Sequence, residues 1–159
     1  MRILEQFANK RVLIVDSEPN LVASLAISLE AEGLRNLGTA NDGVSALAMH
    51  EEESFDLILL DNHMSRMTGP EVLRELRCRG DWVAVIMHTA WNREDLDLED
   101  LALSGFMQKP FSIDAYIQAV HHALSVPPFF RPPLPRREGR RGRTAARSAR
   151  DNSSRGGTK

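Results

Sequence analysis

Four polar side chains at the ends of short apolar runs are of types that could together perform phosphoryl chemistry. They are Asp16, Asp61, Thr89 and Lys109. A carboxylate is a usable nucleophile toward phosphorus, and carboxylate oxygens are ligands that Mg2+ prefers. A hydroxyl and an ammonium can hydrogen-bond and neutralise the charge that develops on phosphoryl oxygens. Two acids, a hydroxyl and a lysine therefore suffice for acyl-phosphate chemistry.

Short apolar runs alternate with stretches of helical periodicity from Arg11 onward, which is the pattern of repeated strand-helix-strand units. Three runs are almost continuously apolar, as expected of strands covered on both faces of a parallel sheet: residues 12–15, 57–60 and 83–87. A weaker run at 34–40 suits a sheet edge, and a fifth short run covers 105–108.

Five helices are predicted between and after these runs. In the first, Leu21, Leu25 and Leu29 recur at four-residue spacing after Pro19, and Gly33 ends the helix. The other four are predicted at residues 44–52, from Pro70 to Gly80, at residues 93–104, and from the N-cap Ser112 to Leu124.

Strands that alternate with helices in this way predict an α/β fold with a doubly wound, five-stranded parallel sheet. In such sheets, ligands lie outside the carboxyl ends of the strands. Because the four polar side chains all stand at strand ends, we expect them to converge on one edge of the sheet.

Four segments resemble the successive blocks of response-regulator receiver domains, the phosphorylation-operated switches of two-component signalling. They are VLIVDSEPN, DLILLDNHMSRMTGPEVL, VIMHTAW and GFMQKPFS. One block is weak evidence, because a strand that ends in Asp is common, but four blocks in order with matching intervals are specific. The resemblance covers residues 9–126, and it implies a flavodoxin-like sheet of strand order 2-1-3-4-5, as in chemotaxis regulators.

The resemblance also implies a phosphoacceptor and a magnesium site. Asp61 corresponds to the phosphoacceptor, and Asp16 belongs to the acidic pair that holds Mg2+. The backbone carbonyl of His63 corresponds to the ligand that completes the metal site. A histidine kinase or a phosphotransfer protein is the implied phosphodonor, and slow self-dephosphorylation is the only catalysis expected, so the chain is not predicted to be an enzyme.

A switch is implied by the same resemblance. Thr89 corresponds to the switch hydroxyl, Lys109 to the phosphate-pairing lysine and Phe106 to the switch aromatic. The bond between Lys109 and Pro110 is expected to be cis, as proline alone readily permits. The signal would leave through a changed face of the fourth and fifth predicted helices.

Ser17 departs from the family pattern, which usually has a second acid at this position. Removing one charge at about 4 Å from a divalent ion could cost several kcal/mol, so the affinity for Mg2+ should be reduced. Glu18 could replace the missing acid, but a residue two steps along the turn points elsewhere by default. Strand alternation turns His88 away from Thr89, and we interpret it as a core residue rather than a ligand.

The charge of the chain is unevenly distributed along its 159 residues. Residues 1–130 carry 10 of the 20 basic and 20 of the 22 acidic residues, a net charge of -10, and residues 131–159 carry a net charge of +8. We predict an N-terminal extension at 1–8, a receiver domain at 9–126 and a disordered Pro/Arg-rich tail at 127–159, because the tail lacks apolar periodicity. Such a tail could contact nucleic acid phosphates without reading sequence, or remain solvated.

Composition narrows the function classes further. The single cysteine, Cys78, can form no intramolecular disulfide, and one thiol alone does not indicate a zinc site. Neither a membrane span nor a signal peptide is indicated, so the location is expected to be cytoplasmic, without a membrane partner. No output-domain pattern follows the receiver segment, which favours a stand-alone receiver that acts on an unknown output protein. The alternatives are a phosphorylation-independent interaction module and a nucleic-acid-associated regulator.

Overall fold

Residues 1–98 and 101–126 are described by the computed structural model, and this part of the chain contains five strands and four α-helices. The strands are β1 (Arg11–Val15), β2 (Asn36–Ala40), β3 (Leu57–Asp61), β4 (Ala84–Thr89) and β5 (Gly105–Gln108). The helices are α1 (Pro19–Ala31), α2 (Gly43–Glu53), α3 (Gly69–Cys78) and α4 (Ile113–Ser125). The predicted tail, 127–159, lies outside the described residues.

The five strands form one parallel sheet in the order β2-β1-β3-β4-β5, which confirms the predicted fold class and strand order. The central strands β1, β3 and β4 are buried nearly throughout, since both faces of a parallel sheet are covered by the crossover helices. The weaker run forms β2, which lies at the sheet edge as predicted and is partly exposed.

Alternate residues of each strand face opposite sides of the sheet, and each side has its own apolar core. One side is covered by α1 and α4 and includes Ile14, Leu59 and Ile86 of the central strands. The other side is covered by α2 and α3 and includes Val15, Leu60 and Met87. Residue parity along a strand therefore decides which helices a side chain meets.

Three helices begin at side chains that accept a hydrogen bond from the first turn, which satisfies one of its free N–H groups. Asp42 accepts from the backbone N of Ser45 at 2.8 Å at the start of α2. Thr68 and Glu71 form a reciprocal capping box at the start of α3. Ser112 caps α4 as the sequence predicts.

The predicted fourth helix at 93–104 is wrong. The described residues of this segment contain only a short 3-10 turn at Arg93–Asp95, followed by extended and bent backbone. The reason lies in the leucine spacing. Leu96 and Leu98 both pack on the core beneath α2 and α3, although residues two apart point about 200° apart on a helix. Leu101 and Leu103 repeat the same two-residue spacing.

Arg77 of α3 anchors this non-helical segment to the body of the protein. The side chain is buried, and its Nε donates to the carbonyl of Leu101 at 3.0 Å. Its two terminal nitrogens donate to the carbonyls of Asp81 and Ala102 at 2.8 and 3.1 Å. The guanidinium also lies 5.4 Å from the ring centroid of Trp82. One planar cation thus satisfies three backbone carbonyls at the edge of the fold.

The residues before β1 pack onto the end of α1. Leu4 is fully buried, and its backbone N donates to the carbonyl of Glu32 at 3.0 Å. The backbone N of Ile3 donates to the Glu32 carboxylate at the same distance.

Among the described residues, no helix has the length and apolar character that crossing a membrane would require.

Replacing Arg77 with Leu should lower the free energy of unfolding by about 3 kcal/mol, because it leaves buried carbonyls without their donor. Urea unfolding followed by circular dichroism measures the loss. Arg79→Leu is the matched control, since Arg79 lies on the exposed side of the same turn and pairs with Glu75 at the surface. Equal stability of the two variants would contradict the anchoring role of Arg77.

Candidate functional site

Asp16, Asp61 and Lys109 converge at the carboxyl edge of the sheet, as their positions at strand ends predict. Asp61 is the last residue of β3, and Asp16 directly follows β1. The backbone N of Asp16 donates to the carbonyl of Ala40 at 3.2 Å, so the ladder with β2 continues to this residue. The backbone N of Lys109 similarly donates to the carbonyl of Thr89 at 2.7 Å. All three side chains are thus held by the sheet itself.

The Lys109 ammonium bridges the two carboxylates. Its Nζ lies 3.1 Å from Oδ2 of Asp16 and 3.3 Å from Oδ1 of Asp61. Both acids are buried, with residue exposures of 1% and 5%. Interactions with both acids raise the pKa of Lys109 even though partial burial opposes this, so the side chain stays cationic. One cation therefore compensates two buried carboxylates.

Asp16 is the better stabilised of the two acids. Burial raises its pKa, but hydrogen bonds from His88, from the backbone N of Glu18 and from Lys109 outweigh burial, and the net pKa of Asp16 is lowered. Oδ1 accepts from the Glu18 backbone at 2.8 Å, and Oδ2 accepts from both His88 and Lys109. Asp16 is therefore a fixed anion at neutral pH.

Asp61 has the opposite balance. Burial and the neighbouring charge of Asp16 raise its pKa, and the charge of Lys109 only partly offsets them. A carboxylate whose ionised form is poorly stabilised is more basic than one that accepts several hydrogen bonds, and its oxygens are better nucleophiles. Of the two acids, Asp61 is thus the one whose environment suits a nucleophile.

His88 belongs to the site, although the sequence analysis treated it as a core residue. It is fully buried, as predicted, and it faces away from Thr89 toward the side of α1 and α4. That direction brings Nε2 within 3.0 Å of Oδ2 of Asp16. Potential metal-ligating atoms of Asp16, Asp61 and His88 all lie within 4.8 Å of one another.

Register explains why these three side chains meet. His88 is the direct partner of Asp61 across β3 and β4. Ile14, Leu59 and Ile86 form one row across three neighbouring strands. Asp16 is two residues beyond Ile14 and therefore faces the same side of the sheet. The two acids and the histidine therefore extend one row of core side chains by one pleat. Parity combined with the strand register would have found His88, but the sequence alone does not provide the register.

Thr89 and Phe106 lie on the opposite side of the sheet from His88. Thr89 follows Met87 by two residues on β4, and Phe106 is the register partner of Met87 on β5. Thr89 is buried, and its Oγ1 accepts from the backbone N of Trp91 at 3.0 Å. Phe106 is half-buried against the core, with the Arg93 guanidinium 5.9 Å from its ring centroid. The predicted cis bond between Lys109 and Pro110 is present.

The donor set fits a hard divalent cation, because two buried carboxylates lie together at the sheet edge and such cations prefer oxygen ligands. Asp16 and Asp61 would supply the carboxylates. The carbonyl of His63, whose side chain is exposed, remains a predicted ligand. Ser17 is exposed, and Glu18 reaches the rim of the site, where its Oε1 lies 3.8 Å from Nζ of Lys109. The negative charge of Glu18 thus partly compensates for the absence of an acid at position 17.

Gly69 brings the start of α3 against the backbone of Asp61. A Cβ at this position would lie 2.4 Å from the Asp61 carbonyl oxygen and 3.0 Å from Cα of Asn62. The backbone N of Gly69 donates to the Asn62 carbonyl at 3.0 Å and closes the loop between β3 and α3. Only glycine permits this close approach.

Comparison with known families matches residues 12–121 to the response regulator receiver domain. Among curated proteins, the chain is 37% identical over 118 residues to the alkaline phosphatase synthesis transcriptional regulatory protein PhoP of Bacillus subtilis. That match covers 70% of this chain and 48% of PhoP. The transcriptional regulatory protein PdtaR of Mycobacterium tuberculosis is 32% identical over 118 residues, covering 73% of this chain and 57% of PdtaR. The chain thus spans about half the length of the curated relatives it matches.

Solved structures give the same result. The receiver domain of the Francisella response regulator 1452 superposes with a TM-score of 0.68 at 26% sequence identity. The match covers 73% of this chain and 97% of that structure. A CheY-like response regulator receiver domain protein from Methanospirillum hungatei gives a TM-score of 0.67 at 26% identity, with coverage of 72% and 93%.

The unequal environments of the two acids predict stability changes of opposite sign. Asp61→Asn should raise the free energy of unfolding at pH 7, because the raised pKa of Asp61 means that its ionised form destabilises the fold. This gain should be full above the raised pKa and vanish as the pH falls below the ordinary value of 3.8. Urea unfolding at pH 7 and at a series of lower pH values measures the effect.

Asp16→Asn is the matched control and should lower stability at pH 7. The lowered pKa of Asp16 means that its ionised form stabilises the fold above the ordinary value of 3.8, and that this contribution is lost as the pH falls through the lowered pKa. Stabilisation by both substitutions would indicate that repulsion between the acids dominates both sites, contrary to this account.

Proposed function

This chain belongs to the response regulator receiver family, and on that premise we propose that it is a phosphorylation-operated switch that accepts a phosphoryl group on Asp61. The observation that carries the proposal is the Lys109 ammonium, shared by Asp61 and Asp16 at the carboxyl edge of the sheet. A cation in that position can pair with a phosphoryl oxygen as soon as one arrives at Asp61. The phosphodonor is a histidine kinase or a phosphotransfer protein.

The transfer is an in-line displacement at phosphorus. A carboxylate oxygen of Asp61 forms the new bond to phosphorus while the bond from phosphorus to the donor imidazole nitrogen breaks and its electron pair stays with the imidazole. Lys109 pairs with the transferred group, and the Thr89 hydroxyl donates to one of its oxygens. Asp16, Asp61 and the carbonyl of His63 would hold Mg2+, which when bound would neutralise part of the phosphoryl charge. The product is an acyl phosphate on Asp61.

The chain acts as a signalling module, and hydrolysis of its own acyl phosphate is its only catalytic step. His63 and Trp91 stand two residues beyond Asp61 and Thr89, and both are exposed. The resemblance to the family places their rings beside the path of the hydrolytic water, which favours a slow reaction. Slow hydrolysis would let the phosphorylated state persist long enough for a partner to bind.

The output uses the side of the sheet that carries Thr89 and Phe106. Phosphorylation adds up to about 2 negative charges and three acceptor oxygens at Asp61, toward which Thr89 moves. Phe106 then rotates into the vacated space and changes the surface formed by residues 93–98, residues 101–104 and α4. An output protein recognises the altered surface.

A second candidate function is an interaction module that works without phosphorylation. Ser17 favours it, because the family's second acid is absent there. A third candidate function is a nucleic-acid-associated role. The curated relatives are named transcriptional regulators, and a net charge of +8 over residues 131–159 suits contact with nucleic acid phosphates. A phosphorylation assay separates the first two, and the salt dependence of DNA binding tests the third.

Acetyl phosphate with millimolar Mg2+ should add one phosphoryl group to the wild-type chain, because nucleophile and cation are already in contact. Intact-mass spectrometry measures the addition, and Asp61→Ala should remain unmodified. Equal addition to Asp61→Ala, or none to the wild type, would refute phosphorylation at Asp61 and favour the interaction module.

Ser17→Asp should bind Mg2+ more tightly than the wild type, since it restores a charge beside the ion. The expected gain is about tenfold or more in affinity, which corresponds to 1.4 kcal/mol. Titration of Mg2+ against tryptophan fluorescence gives both affinities, and Trp91, whose backbone N donates to Thr89, is the tryptophan near the site. Ser17→Asn is the neutral control, and a gain of equal size there would show that charge is not the cause.

A further inference from the structure

A continuous series of buried polar contacts runs from the phosphoacceptor to α4. Nζ of Lys109 lies 3.3 Å from Asp61 and 3.1 Å from Oδ2 of Asp16. The same Oδ2 lies 3.0 Å from Nε2 of His88, and Nδ1 of His88 lies 3.3 Å from the hydroxyl of Tyr116. Asp16, His88 and Tyr116 are each no more than 1% exposed. We call these five residues the buried relay.

The chemistry of each group sets the direction of these hydrogen bonds. An ionised carboxylate only accepts, so Nε2 of His88 carries the proton that it donates to Asp16. In the neutral ring, Nδ1 then has the free electron pair and accepts from the Tyr116 hydroxyl. Burial raises the pKa of Tyr116 well above its ordinary value, as does the charge of Asp16, so this hydroxyl keeps its proton. With the ring in this tautomer, every donor in the relay points toward the acids.

Packing alone does not account for these residue types. The rings of His88 and Tyr116 also contact Phe111, whose centroid lies 6.1 Å from His88 and 5.0 Å from Tyr116. Two apolar side chains could fill the same space without the cost of burying an imidazole and a phenol. The polar pair instead forms a connected network, in which a change at one hydrogen bond alters the strength of the next.

We propose that His88 is a positioning residue of the phosphoacceptor site and that His88 and Tyr116 transmit the occupancy of the site to α4. The proposal rests on the proposed phosphorylation of Asp61. Lys109 is shared by two acids, and a phosphoryl group on Asp61 competes for its ammonium more strongly than the carboxylate does. As Lys109 turns to the phosphoryl group, Asp16 loses one donor at Oδ2 and draws the His88 N–H closer. Tyr116 follows His88 in the first turn of α4.

This route reaches α4 through the opposite side of the sheet from the route through Thr89 and Phe106. The relay lies on the side of the sheet covered by α1 and α4, whereas Thr89 and Phe106 belong to the side covered by α2 and α3. A phosphoryl group on Asp61 would thus change the packing on both sides of the sheet. Only the change that passes through the relay depends on His88.

Tyr116 is the only tyrosine in the chain, so 3-fluorotyrosine gives one protein resonance in a 19F NMR spectrum. Beryllofluoride with Mg2+ serves as the phosphoryl mimic, and its own bound 19F resonance reports occupancy of Asp61 independently. We expect the Tyr116 resonance to shift on binding in the wild type and in Thr89→Ala. In His88→Leu the shift should be lost. Phe111→Leu is the matched control, because it removes a ring contact and should keep the shift.

A second pair of variants separates positioning from transmission. Tyr116→Phe removes a single hydroxyl and leaves the His88 N–H in place to donate to Asp16. It should therefore retain the wild-type rate of phosphorylation by acetyl phosphate. His88→Leu, without the donor, should change that rate by about fivefold, the effect of one hydrogen bond of about 1 kcal/mol.

The outcomes distinguish this inference from the proposed function. Bound beryllofluoride without a Tyr116 shift, or an unchanged shift in His88→Leu, overturns the relay and leaves phosphorylation of Asp61 intact. A wild-type rate in His88→Leu overturns the positioning role. If the wild type shows no bound beryllofluoride resonance, the proposed function fails, and the relay fails with it because no occupied state exists to transmit.

Discussion

The ion pair that Lys109 makes with Asp16 and Asp61 is the interaction on which the rest of the site depends. Two carboxylates buried at one sheet edge repel each other, and their burial is tolerated only because a cation lies within 3.3 Å of both. The compensation is uneven, since Asp16 has two further donors. That unevenness makes Asp16 a fixed anion, and under the proposed function it leaves Asp61 as the reactive acid.

The parity of the strands sorts the functional residues onto two sides of one sheet. The side covered by α1 and α4 carries the two acids with His88 and Lys109. The side covered by α2 and α3 carries Thr89 and Phe106. A ligand at the carboxyl edge meets both sets at once, because the edge is the one place where the two sides are not separated by the sheet. This arrangement allows a single chemical event to act on two separate cores.

Much of this architecture could be predicted from sequence, and the failures have identifiable causes. Almost continuous apolar runs located the central strands β1, β3 and β4, since a strand covered on both faces needs apolar residues at every position, and weaker or shorter runs located the edge strands β2 and β5. The helix predicted at 93–104 failed because the leucines that pack on the core there come in pairs two residues apart, which a helix cannot place on one side. His88 was predicted to be buried, and it is. Its contact with Asp16 depends on the register between β3 and β4, which is set by long-range pairing and leaves no local signal.

The contact at Gly69 has a mechanical consequence. No space remains for even a methyl group between α3 and the carbonyl of Asp61, so the strand that carries Asp61 packs directly against the helix that follows it. Under the proposed function, the displacement caused by an added charge would have to be taken up elsewhere in the fold. The ends of β4 and β5, which lie beyond β3 in the sheet order, would then be the parts that move.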